Sequence, residues 1–144
     1  SGLRTIVWNS KSTIMNIDPD PMSNIYAAVG EDTSFYQLVE EFYKGVESDP
    51  LLRPLYPKDL TEPKRSLALF MIQRTGGPGT YSQERGHPRM RARHMPFRIT
   101  TKERDAWMRH MESALDAVPA LHPHRATLQE FFDNFSTFMI NTPD

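Results

Sequence analysis

The sequence has no cysteine among its 144 residues, which excludes disulfide scaffolds, thiolate zinc sites, iron–sulfur clusters and cysteine nucleophiles together. Any metal must be held by His, carboxylate or Tyr. No run approaches the ~20 apolar residues that a membrane span needs. An excess of charge is also missing: 17 Lys and Arg stand against 18 Asp and Glu, so no global field recruits nucleic acid or an anionic membrane. Two-residue alternation of apolar and polar positions is nearly absent, which argues for helices over strands. The length suits one domain with one core.

Residues 1–22 scatter single apolar side chains among Ser, Asn and Lys and end in Asp18-Pro19-Asp20-Pro21, which resists helix. They read as an N-terminal extension, with Trp8 either docked as an arm or free, ahead of a domain over 23–144. The extension lacks the apolar stretch and small-residue cleavage site of a secretory signal, so a cytoplasmic location is expected.

From Ser23 onward the spacing is helical. Ser23 as cap and Gly30 as stop predict a short first helix. Phe35, Leu38, Val39, Phe42, Tyr43 and Val46 share one face of a second. Asp49-Pro50 opens a short turn ending near Tyr56-Pro57. Thr61 is the predicted cap of a helix carrying Leu67, Phe70 and Met71, stopped by Gly76-Gly77-Pro78. Thr100 and Glu103 form a capping box ahead of Trp107, Met108, Met111, Ala114, Leu115 and Val118. Leu128, Phe131, Phe132, Phe135, Phe138 and Met139 mark the last helix. The pattern is that of an all-α domain of about six helices.

Between Gly76 and Ile99 the character changes. Arg85, Arg89, Arg91, Arg93 and Arg98, with His87 and His94, fall in a stretch without a carboxylate. A solvated basic loop, a phosphate-binding surface and a site for a carboxylate-bearing ligand all fit such a run. Pro88 can open a helical turn and Pro96 ends it just after His94, presenting that imidazole at the end of a short helix between Met95 and Phe97.

The ordered string YSxxRGHPRxRxRHxPFxI, followed by Glu103-Arg104-Asp105-Ala106-Trp107 and preceded by FYKGVESDPLLRPLYP, resembles the truncated (2/2) haemoglobins of group II, the O-type, from about Ser23 to about Asn141. The resemblance implies a shortened globin fold, a two-over-two helical sandwich around haem b. By the same likeness His94 is the proximal iron ligand. Arg93 and His87 would face the haem propionates, Leu67, Phe70, Met71 and Phe97 would pack on the macrocycle, and Tyr43, Tyr56 and Trp107 would stabilise a distal ligand.

One helical turn before Leu67, where many globins carry a distal His, stands Pro63, which has no side-chain donor. The double glycine of the first corner is reduced to Gly30-Glu31, and Arg74-Thr75 replaces an aromatic pair common before Gly-Gly-Pro. Two tyrosine hydroxyls and an indole N–H would act as donors to a diatomic ligand that gathers negative charge. Charge-assisted hydrogen bonds are worth roughly 1.5–3 kcal/mol each, so tight binding and slow release of O2, NO or CO are expected. That suits redox chemistry of O2, NO or peroxide, such as NO dioxygenation or peroxidase-like reduction fed by an external reductase, better than oxygen delivery. A monomer or homodimer without membrane or nucleic-acid partners is expected. The competing expectation is a helical module gripping RNA or another acidic partner through Arg85 to Arg98, with Tyr81 and Phe97 stacking on bases.

Overall fold

Helix α2, Asp32–Glu47, owes its place to one buried stripe: Phe35, Leu38, Val39, Phe42, Tyr43 and Val46 all turn inward. In the computed structural model, which describes residues 20–144, this helix packs against α3 (Thr61–Arg74) and α6 (Thr101–Asp116), while α6 packs in turn on α7 (Arg125–Met139). The two long pairs give the two-over-two sandwich. Short elements join them: α1 (Ile25–Ala28), α4 (Thr80–Arg85), α5 (Met90–His94), and 3-10 turns at Arg53–Leu55 and Pro119–His124. There is no strand among the described residues. Residues 1–19, including Trp8 and its expected arm, lie outside them. Packing begins slightly before the expected boundary at 23, because Met22 is buried in the core and Asp20 takes a hydrogen bond from the Arg74 guanidinium at 2.9 Å.

The first corner keeps a left-handed backbone without its second glycine. Gly30 has φ 83° and Glu31 has φ 69° with ψ −130°, and the Glu31 N–H donates to the Tyr26 carbonyl at 3.0 Å. A Cβ is tolerated there at a cost in backbone strain.

The capping box of α6 forms as expected, with the Glu103 carboxylate accepting from the Thr100 N–H at 2.7 Å. Three local expectations are corrected. The residue before α1 is Asn24, not Ser23, whose hydroxyl instead donates to the Asp20 carbonyl at 2.8 Å. Thr61 is the first residue of α3, not its cap; the Asp59 carboxylate takes the Thr61 N–H at 3.0 Å, because an acceptor two residues upstream reaches that orphan donor. Phe138 is 61% exposed, since the apolar arc of α7 is wider than the core it meets; its ring instead takes the Arg91 guanidinium at 5.8 Å.

Helix α4 lies at the start of the arginine-rich stretch between Gly76 and Ile99. The Gln73 amide fastens it to α3, accepting from the Ser82 N–H at 2.9 Å and donating to the Ser82 hydroxyl at 2.8 Å. Arg65 adds a forked ion pair to Glu84.

Candidate functional site

The end of α2, the loop through Tyr56, α3, α5, α6 and α7 leave between them an apolar cavity of about 370 Å³. It continues into a second space of about 200 Å³ that shares Tyr56, Pro57, His94, Phe97, Trp107 and Phe135 with it. These dimensions are those of a cofactor pocket, on the order of 300–1,000 Å³.

His94 sits in the wall. Its Nδ1 lies 2.6 Å from the Met90 carbonyl oxygen, an atom that can only accept, so the proton belongs on Nδ1. Nε2 is left as the nitrogen with a free lone pair. Among the described residues no group of three or more His, Asp or Glu converges as a metal site. The cavity therefore offers a metal one imidazole, which is the donor set suited to an iron that brings its own macrocycle. The apolar walls agree: Pro63, Leu67, Phe70, Phe97 and Phe135 line the space. Among the residues named above, those facing the cavity fit a haem.

Tyr43, Tyr56 and Trp107 meet in the same cavity. The Tyr43 and Tyr56 rings stand edge to face at 5.5 Å, and Trp107 is fixed between Phe42 at 5.1 Å and Phe132 at 5.7 Å. Burial pushes the Tyr43 hydroxyl well above the usual phenol range, and the neighbouring Tyr56 adds to it. Burial also pushes Tyr56 up, to about 12, against hydrogen bonding from Trp107 and Tyr43 that pulls the other way. Both phenols thus keep their protons at neutral pH. Tyr43 and Trp107 thus stand beside a Tyr56 hydroxyl that still carries its proton.

Other expected site residues divide. Arg93 lines the cavity, but its guanidinium donates to the carbonyls of Pro88 and Arg85 at 2.6 Å each and of His87 at 3.2 Å, and rides over the Tyr81 ring at 5.8 Å. It braces the turn into α5 as well as facing the pocket. Met71 is fully buried in the core outside the lining, since it sits one residue round α3 from Phe70. His87 is exposed and also outside the lining. The RNA expectation loses its footing. Tyr81 is buried, leaving of the two aromatics only Phe97 exposed at the cavity rim, and Arg85 pairs with Glu62 of α3 at 3.2 Å.

Sequence reasoning missed Tyr81, Met90 and Ser66 as lining residues. The Ser66 hydroxyl is buried with no hydrogen-bond partner, and only its step of one from Leu67 on α3 hinted at it. His110 is half-buried and bonds to Asp49.

Helices paired around a cavity walled by one free-lone-pair imidazole define a globin-like protein. Residues 24–141 match the family described as bacterial-like globin, and the chain belongs to that family, among its group II truncated haemoglobins. It is 50% identical over 93 residues to group 2 truncated hemoglobin YjbI of Bacillus subtilis, covering 65% of this chain and 70% of that one. Among solved structures, a thermostable hemoglobin from Thermobifida fusca superposes with TM-score 0.80 at 43% identity, over 84% of this chain and 99% of that one. A truncated oxygen-avid haemoglobin from Bacillus subtilis does so with TM-score 0.77 at 42% identity, over 82% and 99%. Membership carries a haem cofactor and the binding of diatomic gases. No helix among the described residues is long and apolar enough to cross a membrane.

Proposed function

We propose that the chain holds haem b through His94 and binds O2 tightly with slow release, in the service of redox chemistry of O2, NO or peroxide. The observation that carries this is the convergence of Tyr43, Tyr56 and Trp107 on the cavity that His94 also lines. When bound, haem supplies an iron with one open coordination position for a diatomic gas and a reversible one-electron couple.

The protein's own part is positioning. Nδ1 bonding to Met90 holds the His94 ring in the tautomer that ligates through Nε2. Leu67, Phe70 and Phe135 give the cavity apolar walls, and Arg93 places a cation at the same cavity for the carboxylates of the cofactor. Pro63 in the first turn of α3 brings no side-chain donor to the cavity, so donation falls to the tyrosine and tryptophan side chains. Because Tyr56 stays protonated in the cavity, its hydroxyl proton can be given to a ligand that gathers negative charge. High affinity in the oxygen-avid relative supports the same reading here. Turnover of NO to nitrate, or of peroxide, needs electrons from an external reductase.

The test is spectroscopic. Purified protein given haemin should develop a Soret band, shift it on reduction, and shift it again with carbon monoxide; His94→Ala should lose the normal spectrum and regain it with added imidazole. A wild-type protein that takes up no haem, or an unaltered spectrum in His94→Ala, overturns the proposal.

A further inference from the structure

Helix α5, which carries His94, cannot hold itself in place. It is a single turn of five residues with no side-chain cap, entered through Arg89 in the left-handed region at φ 39° and ended by Pro96. A helix that short has no stability of its own. Its last turn is closed only by local bonds, from the Met95 N–H to the Ala92 carbonyl at 3.3 Å and from the Phe97 N–H to the His94 carbonyl at 3.0 Å. Residues 95–98, which follow it, are exposed.

What holds this segment comes from just beyond α7, more than 40 positions along the chain. The Asn141 side-chain amide donates to the His94 carbonyl at 3.1 Å and to the Phe97 carbonyl at 2.8 Å. Its Oδ1 accepts from the Ile99 N–H at 3.0 Å, and its main-chain N–H donates to the Ile99 carbonyl at 3.0 Å. One carboxamide therefore bonds at three points along the chain from His94 to Ile99, spanning the whole connection between α5 and α6. The ring of His94 is already set by Nδ1 on Met90; its backbone is set by Asn141. Ring and backbone are constrained by different residues.

We propose that Asn141 is a positioning residue for the axial histidine, holding the His94–Ile99 connection so that the imidazole is presented to the haem iron in one fixed way. This rests on the haem reading above. Without the amide, the Phe97 carbonyl and the Ile99 N–H lose partners, and the last turn of α5 keeps its own bonds, the hold of Arg93 on the segment before it, and Arg91, which donates to the Ile140 carbonyl at 3.2 Å.

The experiment uses the reduced, ligand-free holoprotein and two readouts: the iron–imidazole stretching band by resonance Raman, and the rate of haem transfer to excess apomyoglobin. Asn141→Asp keeps an acceptor for Ile99 and removes both donors to His94 and Phe97; Asn141→Ala removes all three bonds. Asp144→Ala is the control, because the Asp144 carboxylate accepts from the Thr101 N–H at 3.0 Å and so anchors the same stretch of chain without touching residues 94–99. The expected result is a shifted or broadened band and about tenfold faster haem loss in the Asn141 variants, with both readouts unchanged in Asp144→Ala. An unchanged band in Asn141→Asp, with haem still ligated by His94, overturns the proposal. So does an equal shift in Asp144→Ala, which would make Asn141 a general anchor. Should Asn141→Ala not fold, Asn141→Asp decides alone. Failure of the wild-type protein to ligate haem through His94 is a separate outcome, and refutes the haem reading.

Discussion

His110 Nε2 and the Asp49 carboxylate meet at 2.7 Å, joining α6 one turn beyond Trp107 to the loop that leads to Tyr56. The same carboxylate accepts from the Leu51 N–H at 2.9 Å, so one acid organises both the loop and its contact with α6. Hydrogen bonding from His110, ahead of the opposing effect of desolvation, holds the Asp49 carboxyl below the usual range. A depressed folded-state value means that the stability Asp49 contributes is present above the ordinary carboxylate range and is lost as pH falls through the depressed value. Asp49→Asn should lower Tm at neutral pH by a few degrees, about 1 kcal/mol, and flatten the acid side of the stability profile. Thermal melts from pH 3 to 7 check this; an acid limb identical to wild type would refute it.

Distal donation is tested by oxygen release. Tyr56→Phe removes a hydroxyl, and Trp107→Phe an indole N–H, from the cavity that His94 lines. Each should raise the oxygen dissociation rate by about tenfold or more, Tyr56→Phe the most, as read by stopped-flow displacement with carbon monoxide. Unchanged rates in both variants would refute the donor network.

Backbone strain at the first corner has a simple consequence. Glu31 at φ 69° and ψ −130° occupies a region natural to glycine. Glu31→Gly should therefore leave stability unchanged or raise it by up to about 1 kcal/mol, although glycine ordinarily destabilises. A clear loss in chemical denaturation would show that the Glu31 side chain compensates for its backbone.

Gly76 should behave in the opposite way. It has φ 103°, and a Cβ there would fall 2.0 Å from the Ser23 carbonyl oxygen, a backbone atom that cannot swing aside. Gly76→Ala should cost about 2 kcal/mol or more, separating α1 from the end of α3, where the Tyr26 N–H donates to the Thr75 carbonyl at 3.0 Å. Equilibrium unfolding in urea measures it.

Much of the fold was legible because it depends on neighbours in sequence. The stripe of α2 buries as its spacing requires, and the box at Thr100 and Glu103 closes as written. His94, Tyr43, Tyr56, Trp107, Leu67, Phe70 and Phe97 could be singled out by motif and resemblance. Spacing alone could not separate Met71 from Phe70, because both are apolar and adjacent on α3, and only the position of the cavity decides which one faces it. Arg85 read as part of an uncompensated cluster because Glu62, its partner, lies 23 positions away. Asn141 carried no signal at all: its bonds reach back more than 40 positions.

By itself, then, the sequence determined helices, the capping box of α6, stops and the imidazole that ends a one-turn helix, since those rest on periodicity and on side chains bonding to backbone a few residues off. Tertiary structure decided which apolar residues line the cavity, which arginines have partners, and what holds His94 still. Those outcomes depend on distances between segments far apart in the chain, which no local pattern encodes.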